Sequence, residues 1–437
     1  MATFPSLTKS IGKPGTRARL RARGGLIAAL DIGSTKICCF IARLDEQRGQ
    51  QRAARVVGIG HQAARGVRSG AIVDLEAAEA SIRAAVSAAE QMAGTTVQGV
   101  IVNVSGGQPT SRTIGVEVSI AGQQIADSDM RRALGHTRAE DDGEEREVIH
   151  SIPVGFSIDG NRGIRDPRGM FGDRLGVDMH LITAQASAIR NLAACVARCH
   201  LEIDAMVVAP YAAGLACLVE DEMDLGATVI DMGGGTTSIA VFFDGNVVFT
   251  DCVRVGGAHV TGDIARGLST PLAQAERIKT LYGSAVAGPA DDREAIEVPL
   301  VGEDDARAVT QIPRSLLVGI IHPRVEETLE LVRGRLEASG FDKLAGRRAV
   351  LTGGACQLAG VRDLAARILD KQVRIGRPLK LGGLAEATSG PAFATAAGLV
   401  GYAGRRDAEA GTSLFGPPPE QQAGFIGRIG EWFRAAF

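Results

Sequence analysis

The sequence predicts a two-lobed α/β protein with a small α+β subdomain inserted in its first lobe, on three observations. "LDIGSTKICCF" and "IDMGGGTTSIAVF" share one plan of apolar strand, aspartate, Gly-Ser/Thr turn and apolar strand, and their aspartates, Asp31 and Asp231, lie 200 positions apart. A repeat at that interval predicts two related domains facing each other, each offering one hairpin turn. Apolar strand runs such as "VQGVIVNVSGG" and "IDAMVVAP" alternate with Ala-rich helical runs around these hairpins. From about 107 to 180 the character changes to more charge, more turn residues and short alternating strands.

The 437 residues are enough for two or more domains with their own cores. A hydrophobic fraction of 45% and a charged fraction of 22% are those of a globular chain. The net charge of -2 supplies no electrostatic case for nucleic acid. Seven scattered cysteines without a C-x-x-C pair predict free thiols in a reducing compartment. Cys195, Cys199 and His200 sit on an Ala-rich helical stretch and read as core packing rather than as a partial metal site. No window reaches the ~18 uninterrupted apolar residues of a membrane span. "AMVVAPYAAGLACLV" is interrupted by Pro210 and Gly214 and reads as buried core. Residues 1–24 are basic without an apolar run, which predicts a disordered arm and not a secretory signal.

Taken in order, residues 25–106 and 181–222 form the first lobe. "DLEAAEASIRAAVSAAEQMAG" is a helix with Asp at its start and Gly at its end. "TIGVEVSI" and "REVIHSIPVGFSI" are strands of the insert at 107–180, and "DSDMRRALGHTRA" is its helix. "ASAIRNLAACVARCHL" is a second amphipathic helix. Residues 223–402 form the second lobe. "GGAHVTGDIARGL" and "PLAQAERIKTLYG" are its next helices, within a small subdomain at about 262–312. "LLVGIIHPRVEETLELVRGRLEASG" is a long helix closed by Gly340, and "RAVLTGGACQLAGVRDLAARIL" reads as strand, Gly-Gly turn and helix. Residues 403–423, with "GPPPEQQAG", are a linker, and 424–437 an amphipathic helix.

Three glycine turns give three patches of backbone N–H, which suit phosphate and ribose oxygens. An aspartate just before each hairpin turn would repel phosphates unless a cation intervenes. Hydrated Mg²⁺ resolves this, because it keeps most of its waters and needs few protein ligands. In "QAERIK", Glu276 and Lys279 lie at i and i+3 on one helical face. They are either a ribose-holding pair or an ordinary surface ion pair.

In this order and spacing, "LDIGSTK", "IDMGGGTTSIAVF" and "LTGGACQLAG" resemble the phosphate and adenosine motifs of the actin/Hsp70/sugar-kinase ATPase superfamily. "RGVRSGAIVDLEAA", "DMHLITA", "AERIKTLYGSA" and "QVRIGRPL" make the chain similar to the FtsA family of bacterial cell-division proteins from about Leu26 onward. The resemblance implies an actin-like fold binding ATP and Mg²⁺ between the lobes, with the insert as the family's own subdomain. Asp31 and Asp231 would approach Mg²⁺ through water. Gly33, Ser34, Thr35 and Lys36 would line the first phosphate turn, and Gly233, Gly234, Gly235, Thr236 and Thr237 the second. Gly257, Glu276 and Lys279 would hold the ribose side, and Gly353, Gly354 and Ala355 the adenosine. It also implies filament-forming self-assembly, recruitment of other divisome proteins, and binding of the FtsZ C-terminal peptide on the small second-lobe subdomain. Arg314 and Arg324 are candidates there to meet an acidic peptide.

In "GFIGRIGEWFRAAF", Phe425, Ile426, Ile429, Trp432, Phe433 and Phe437 share one helical face, with the chain's single Trp among them. Beyond a Pro-rich linker and flanked by Arg, this reads as an interfacial helix on membrane lipid, and the resemblance implies the cytoplasmic face of the inner membrane at the septum. Three alternatives compete. A sugar-kinase-like phosphotransferase needs a positioned catalytic Asp and has no use for the tail. An Hsp70-like chaperone needs a peptide-binding β domain. A PilM-like pilus-assembly scaffold shares the type of insert. The reading is therefore an ATP-binding scaffold with at most weak ATPase activity, and no catalytic residue is assigned.

Overall fold

The computed structural model describes residues 25–44, 54–136, 145–302, 309–379 and 381–409. The expected arm at 1–24 and the six apolar tail residues from Phe425 to Phe437 lie outside them.

The chain opens with the hairpin β1 (Leu26–Ile32) and β2 (Lys36–Leu44), followed by β3 (Ala54–Ala63). A small hairpin, β4 (Val67–Arg68) and β5 (Ala71–Ile72), leads into α1 (Leu75–Ala93) and β6 (Gly99–Val104). Helix α1 starts where Asp74 accepts hydrogen bonds from the N–H groups of Glu76 and Ala77, and stops at left-handed Gly94. Its Ala78, Ile82, Ala85 and Ala89 are fully buried. The insert comprises β7 (Thr110–Ser119), α2 (Asp127–His136), β8 (Arg146–Ile158), β9 (Asn161–Ile164) and β10 (Arg174–Gln185). Its antiparallel sheet, ordered β7-β10-β8-β9, buries its own small core around Met130, Leu175 and Val177. The first lobe resumes with α3 (Ala186–Arg198) and β11 (Glu202–Val208). Cys195 of α3 and Cys199 just past its end point their thiols at the carbonyls of Leu75 and Glu79.

After α4 (Ala209–Cys217) and α5 (Glu220–Leu225) the second lobe begins with β12 (Ala227–Met232), β13 (Thr237–Phe243) and β14 (Asn246–Val253). Helices α6 (Gly257–Gly267) and α7 (Leu272–Tyr282) follow, then the two-stranded sheet of β15 (Ala295–Pro299) and β16 (Val309–Pro313). Helix α8 (Arg314–Ser339), β17 (Arg348–Thr352), α9 (Val361–Leu369), β18 (Gln372–Ile375), β19 (Leu381–Gly382) and α10 (Ala394–Glu409) complete the described chain.

The two main sheets repeat one plan. The first is ordered β11-β6-β1-β2-β3-β19 and the second β18-β17-β12-β13-β14. In each, the central strand pairs antiparallel with its hairpin partner and parallel with the strand on its other side. The insert interrupts the first lobe between β6 and α3, while α6, α7 and the small sheet interrupt the second between β14 and α8. Helix α4 directly follows β11, α10 comes after β18 and the short β19, and the two helices pack on each other. Contact is close enough that a Cβ on Gly398 would run into the Ala212 backbone.

Three expectations need correction. The segment 223–402 does not stay in the second lobe: β19 pairs with β3, and α10 buries Ala396, Ala397, Leu399 and Val400 in the first-lobe core. Residues 403–409, expected to start a linker, instead continue α10 to Glu409, because "GRRDAE" is rich in helix formers. The Gly353-Gly354 turn does not enter a long helix. It enters a three-residue 3₁₀ turn, Ala355–Gln357, and α9 starts only after left-handed Gly360.

Candidate functional site

The two hairpins superpose in register. Ile32 pairs with Ile37 and Met232 with Thr237, so each turn has four residues, and each aspartate sits one position before the last pair. In both turns the first glycine N–H closes on the fourth residue: Gly33 donates to the Lys36 carbonyl (3.0 Å) and Gly233 to that of Thr236 (2.9 Å). That closure leaves the N–H groups of Ser34, Thr35, Gly234 and Gly235 without a protein acceptor among the described residues. Four donors converge there, the arrangement that cradles phosphate oxygens.

The turns face each other across the lobes. A Cβ on Gly234 would lie 2.8 Å from Thr35 Oγ1, so only glycine permits this approach. Ser34 Oγ accepts from the Gly70 N–H (2.8 Å), tying the first turn to the β4–β5 hairpin. The second turn is held by α6, whose Gly257 and Ala258 N–H groups donate to the carbonyls of Gly233 (3.0 Å) and Gly234 (2.7 Å).

Asp31 is 9% exposed and Asp231 partly buried. Burial pushes the Asp31 carboxyl up to about 7, with Lys36 opposing and Asp231 adding to the rise. Burial pushes Asp231 up to about 6, opposed by a hydrogen bond from Thr395 Oγ1 (3.1 Å) and by Lys36. Lys36 is in turn pulled down by burial and held up chiefly by Asp31. Its Nζ donates to the Ala392 carbonyl (2.5 Å) and stands 3.3 Å from the centroid of the Phe393 ring. Lys36 thus moderates both carboxylates without an ion pair to either among the described residues, and two buried carboxylates so weakly compensated favour a further cation. These residues fit Mg²⁺ held through its waters and a polyphosphate held by the turn amides.

Gly353 and Gly354 close the third side. Gly353 has φ +85 and donates to the Pro391 carbonyl (3.2 Å), while a Cβ on it would sit 2.5 Å from Asp231 Oδ1. Gly353→Ala is expected to cost about 2–4 kcal/mol of stability, read as a lowered denaturant midpoint; an unchanged midpoint contradicts this packing. Lys279 Nζ bonds Glu276 Oε2 (2.7 Å), Thr261 Oγ1 (2.9 Å) and the Gly257 carbonyl (3.2 Å), which brings the i, i+3 pair beside Ala355 and the second turn. Their place in this network sets them apart from a merely surface ion pair.

Arg314 and Arg324 do not stand as open cations. Arg314 is paired with Asp291 (2.9 Å) and Glu294 (3.3 Å) and donates to the Tyr282 carbonyl (2.8 Å). Arg324 is paired with Asp263 (2.5 Å) and Glu327. Their charge is already met within the chain.

Sequence reasoning missed Asn103, Thr261, Phe393 and Thr395. Asn103 Oδ1 accepts the Ile32 N–H (2.7 Å) and fixes the end of β1 beside Asp31. A polar residue ending the apolar run "GVIVNV" was its only local signal.

A family model described as "Cell division protein FtsA" matches residues 228–398, and one described as "SHS2 domain inserted in FTSA" matches 106–183. The chain is 46% identical over 434 residues, 98% of each chain, to a protein of Agrobacterium fabrum named "Cell division protein FtsA". The chain belongs to the FtsA family of cell division proteins. The FtsA of Rhizobium meliloti is 47% identical over 437 residues, with 98% of each chain covered. That of Neisseria meningitidis is 34% identical over 414 residues, 94% of this chain and 98% of the relative. Among solved structures, the PilM-PilN type IV pilus biogenesis complex aligns at TM-score 0.60 and 18% identity, covering 86% of this chain and 98% of that one. MreB 5 of Spiroplasma citri bound to AMPPNP aligns at TM-score 0.51 and 14% identity, covering 91% and 100%. These likenesses establish for this FtsA-family chain an actin-like fold carrying an SHS2 insert. No described helix is long and apolar enough to cross a membrane.

Proposed function

We propose that the protein binds Mg-ATP between its lobes, self-assembles in that state, and links FtsZ to the cytoplasmic face of the inner membrane while recruiting other divisome proteins. The observation that carries this is the pair of register-matched hairpin turns that approach each other, with Asp31 and Asp231 at equivalent positions before them. When bound, Mg²⁺ would screen the polyphosphate from those carboxylates. The chain's own residues do the rest: turn amides hold phosphate oxygens, Asp31 and Asp231 accept from water on the ion, and Glu276 and Lys279 face the ribose. In this reading the nucleotide sets the angle between lobes, with at most slow hydrolysis and no transfer to a metabolite.

The partner peptide is assigned to the small second-lobe subdomain. Because Arg314 and Arg324 are charge-paired, the reading adds apolar contact at Leu281, Tyr282 and Leu316, which are exposed where the end of α7 meets the start of α8. Direct titration with a labelled FtsZ C-terminal peptide is expected to show saturable binding that Leu316→Glu weakens roughly tenfold. A phosphotransferase predicts no binding, and no binding would remove the tethering reading.

A further inference from the structure

We infer that the root of the insert carries an anion site, built on Arg146 and suited to a phosphate group, distinct from the glycine turns and independent of the Mg-ATP reading. The site is an open cavity of about 390 Å³ lined by Thr110, Ser111, Arg112, Arg146 and Thr183. That volume lies at the lower end of small-molecule sites, which run from about 300 to 1,000 Å³.

Strand pairing assembles it. The chain enters the insert on β7 and leaves it on β10, where Thr110 and Thr183 are paired residues. Arg146 starts β8 on the other side of β10, opposite Gln185. Its guanidinium reaches across to both strands. Nε donates to Thr183 Oγ1 (2.9 Å), and Nη2 to Thr110 Oγ1 (3.0 Å) and to the carbonyls of Gln108 (2.9 Å) and Thr183 (3.0 Å). Ser111 ties the same place to the second lobe, since its Oγ accepts the Thr250 N–H (2.7 Å) and donates to the Thr250 carbonyl (3.0 Å) on β14. The cavity therefore stands where the insert meets the edge strand of the second-lobe sheet.

Charge and donors both point to an anion. Every acceptor that Arg146 meets is neutral, and it forms no ion pair among the described residues. Arg112 adds a second guanidinium to the lining, and no carboxylate among the described residues lines the cavity. Glu147, next along β8, is paired with Arg190 (3.8 Å). A half-buried guanidinium met only by dipoles keeps its full charge, which a bound anion neutralises. A guanidinium also has five N–H donors, and the two on Nη1 meet no protein acceptor among the described residues. Thr110 and Thr183 accept from Arg146 through their hydroxyl oxygens, and neither hydroxyl proton has a protein acceptor among the described residues. Thr183 is 4% exposed, so bulk water does not readily satisfy it. Unclaimed donors on three side chains around one cavity suit a phosphate, whose oxygens point in several directions, better than a flat carboxylate. Free phosphate and a phosphate monoester present the same chemistry here.

The test titrates inorganic phosphate or glycerol 3-phosphate into the full-length protein at fixed ionic strength and reads backbone hydrogen exchange segment by segment. Both are expected to slow exchange saturably at 108–112 and 146–148, and the tighter of the two tells a free ion from an ester. Arg146→Gln is expected to abolish this protection. Arg112→Gln changes an exposed residue that takes no part in the Arg146 bonds. It is expected to weaken the protection about tenfold with the denaturant midpoint unchanged. Thr110→Val, which keeps the shape and removes one donor, is expected to weaken it roughly fivefold. Protection confined to 233–237 would place the phosphate on the glycine turn alone and overturn the site. Protection at the root that neither Arg112→Gln nor Thr110→Val weakens overturns it too. Equal protection by acetate overturns the assignment to phosphate, because a flat carboxylate then serves as well.

Discussion

Asp231→Asn is expected to lower affinity for Mg-ATP by on the order of 100-fold and, with Mg²⁺ removed by chelation, to leave ATP binding unchanged or tighter. The two signs follow from the charge count around the turns. Once both carboxylates are ionised, Asp31, Asp231 and Lys36 sum to one negative charge in a buried setting. With Mg²⁺ present, that charge orders the ion's waters. Without it, the same charge repels the polyphosphate. Calorimetric titration in magnesium and in chelator measures both arms. An unaltered affinity in magnesium would show that the second hairpin does not face the ion.

Proton competition adds a pH arm to the same experiment. Asp31 is raised to about 7 and Asp231 to about 6 from an ordinary 3.8. Mg-ATP affinity should therefore climb from pH 6 to pH 8 as both carboxylates lose their protons. Global stability is the poorer reporter. The folded carboxylates bind protons more tightly than the unfolded ones, so their contribution falls as pH rises from about 4 to about 7. His150 and His180 are buried and pushed down to about 3 and about 4, and neither ring nitrogen of His180 has a hydrogen-bond partner among the described residues. The folded histidines bind protons less tightly, so their contribution falls as pH drops below 6.5. Across the shared window the pairs oppose each other, and only ion-dependent binding isolates the carboxylates.

What was legible in the sequence was local. A strand, an aspartate, a glycine turn and a returning strand specify their own hydrogen bonds, and the two hairpins lie in the register that the repeat predicts. Helix α1 was equally plain, since Asp74 and Gly94 cap it with their own side chain and backbone. What was not legible depends on distant partners. Nothing in "PAFATAAGLV" says that Thr395 reaches Asp231, 164 positions away, or that Phe393 lies under Lys36. The same long range hid the return of α10 to the first lobe, which brings one helix to both hairpins and, through Tyr402 against His150, to the insert. The internal pairing of Arg314 and Arg324 was hidden for a related reason. Their partners Asp291 and Asp263 are 23 and 61 positions away, and sequence does not reveal a distant carboxylate.

Deletion of 424–437 is expected to abolish co-sedimentation with anionic liposomes. Six large apolar groups at roughly 1.5–3 kcal/mol each supply a gross gain near 10 kcal/mol, from which partial immersion and the ordering of the segment subtract a large share. One tail on a chain of net charge -2 therefore binds lipid weakly and reversibly. Assembly changes the arithmetic, because each further tail on a polymer binds at the raised effective concentration set by the first. Full-length protein should accordingly sediment steeply with its own concentration, more so with Mg-ATP than without. Trp432→Glu, which places a charge on the apolar face, should lose most of that sedimentation while Mg-ATP affinity stays within about twofold. If the deleted protein sediments as the intact one does, lipid is held elsewhere and the anchor reading fails. If sedimentation stays linear in concentration, the anchor survives and its coupling to self-assembly does not.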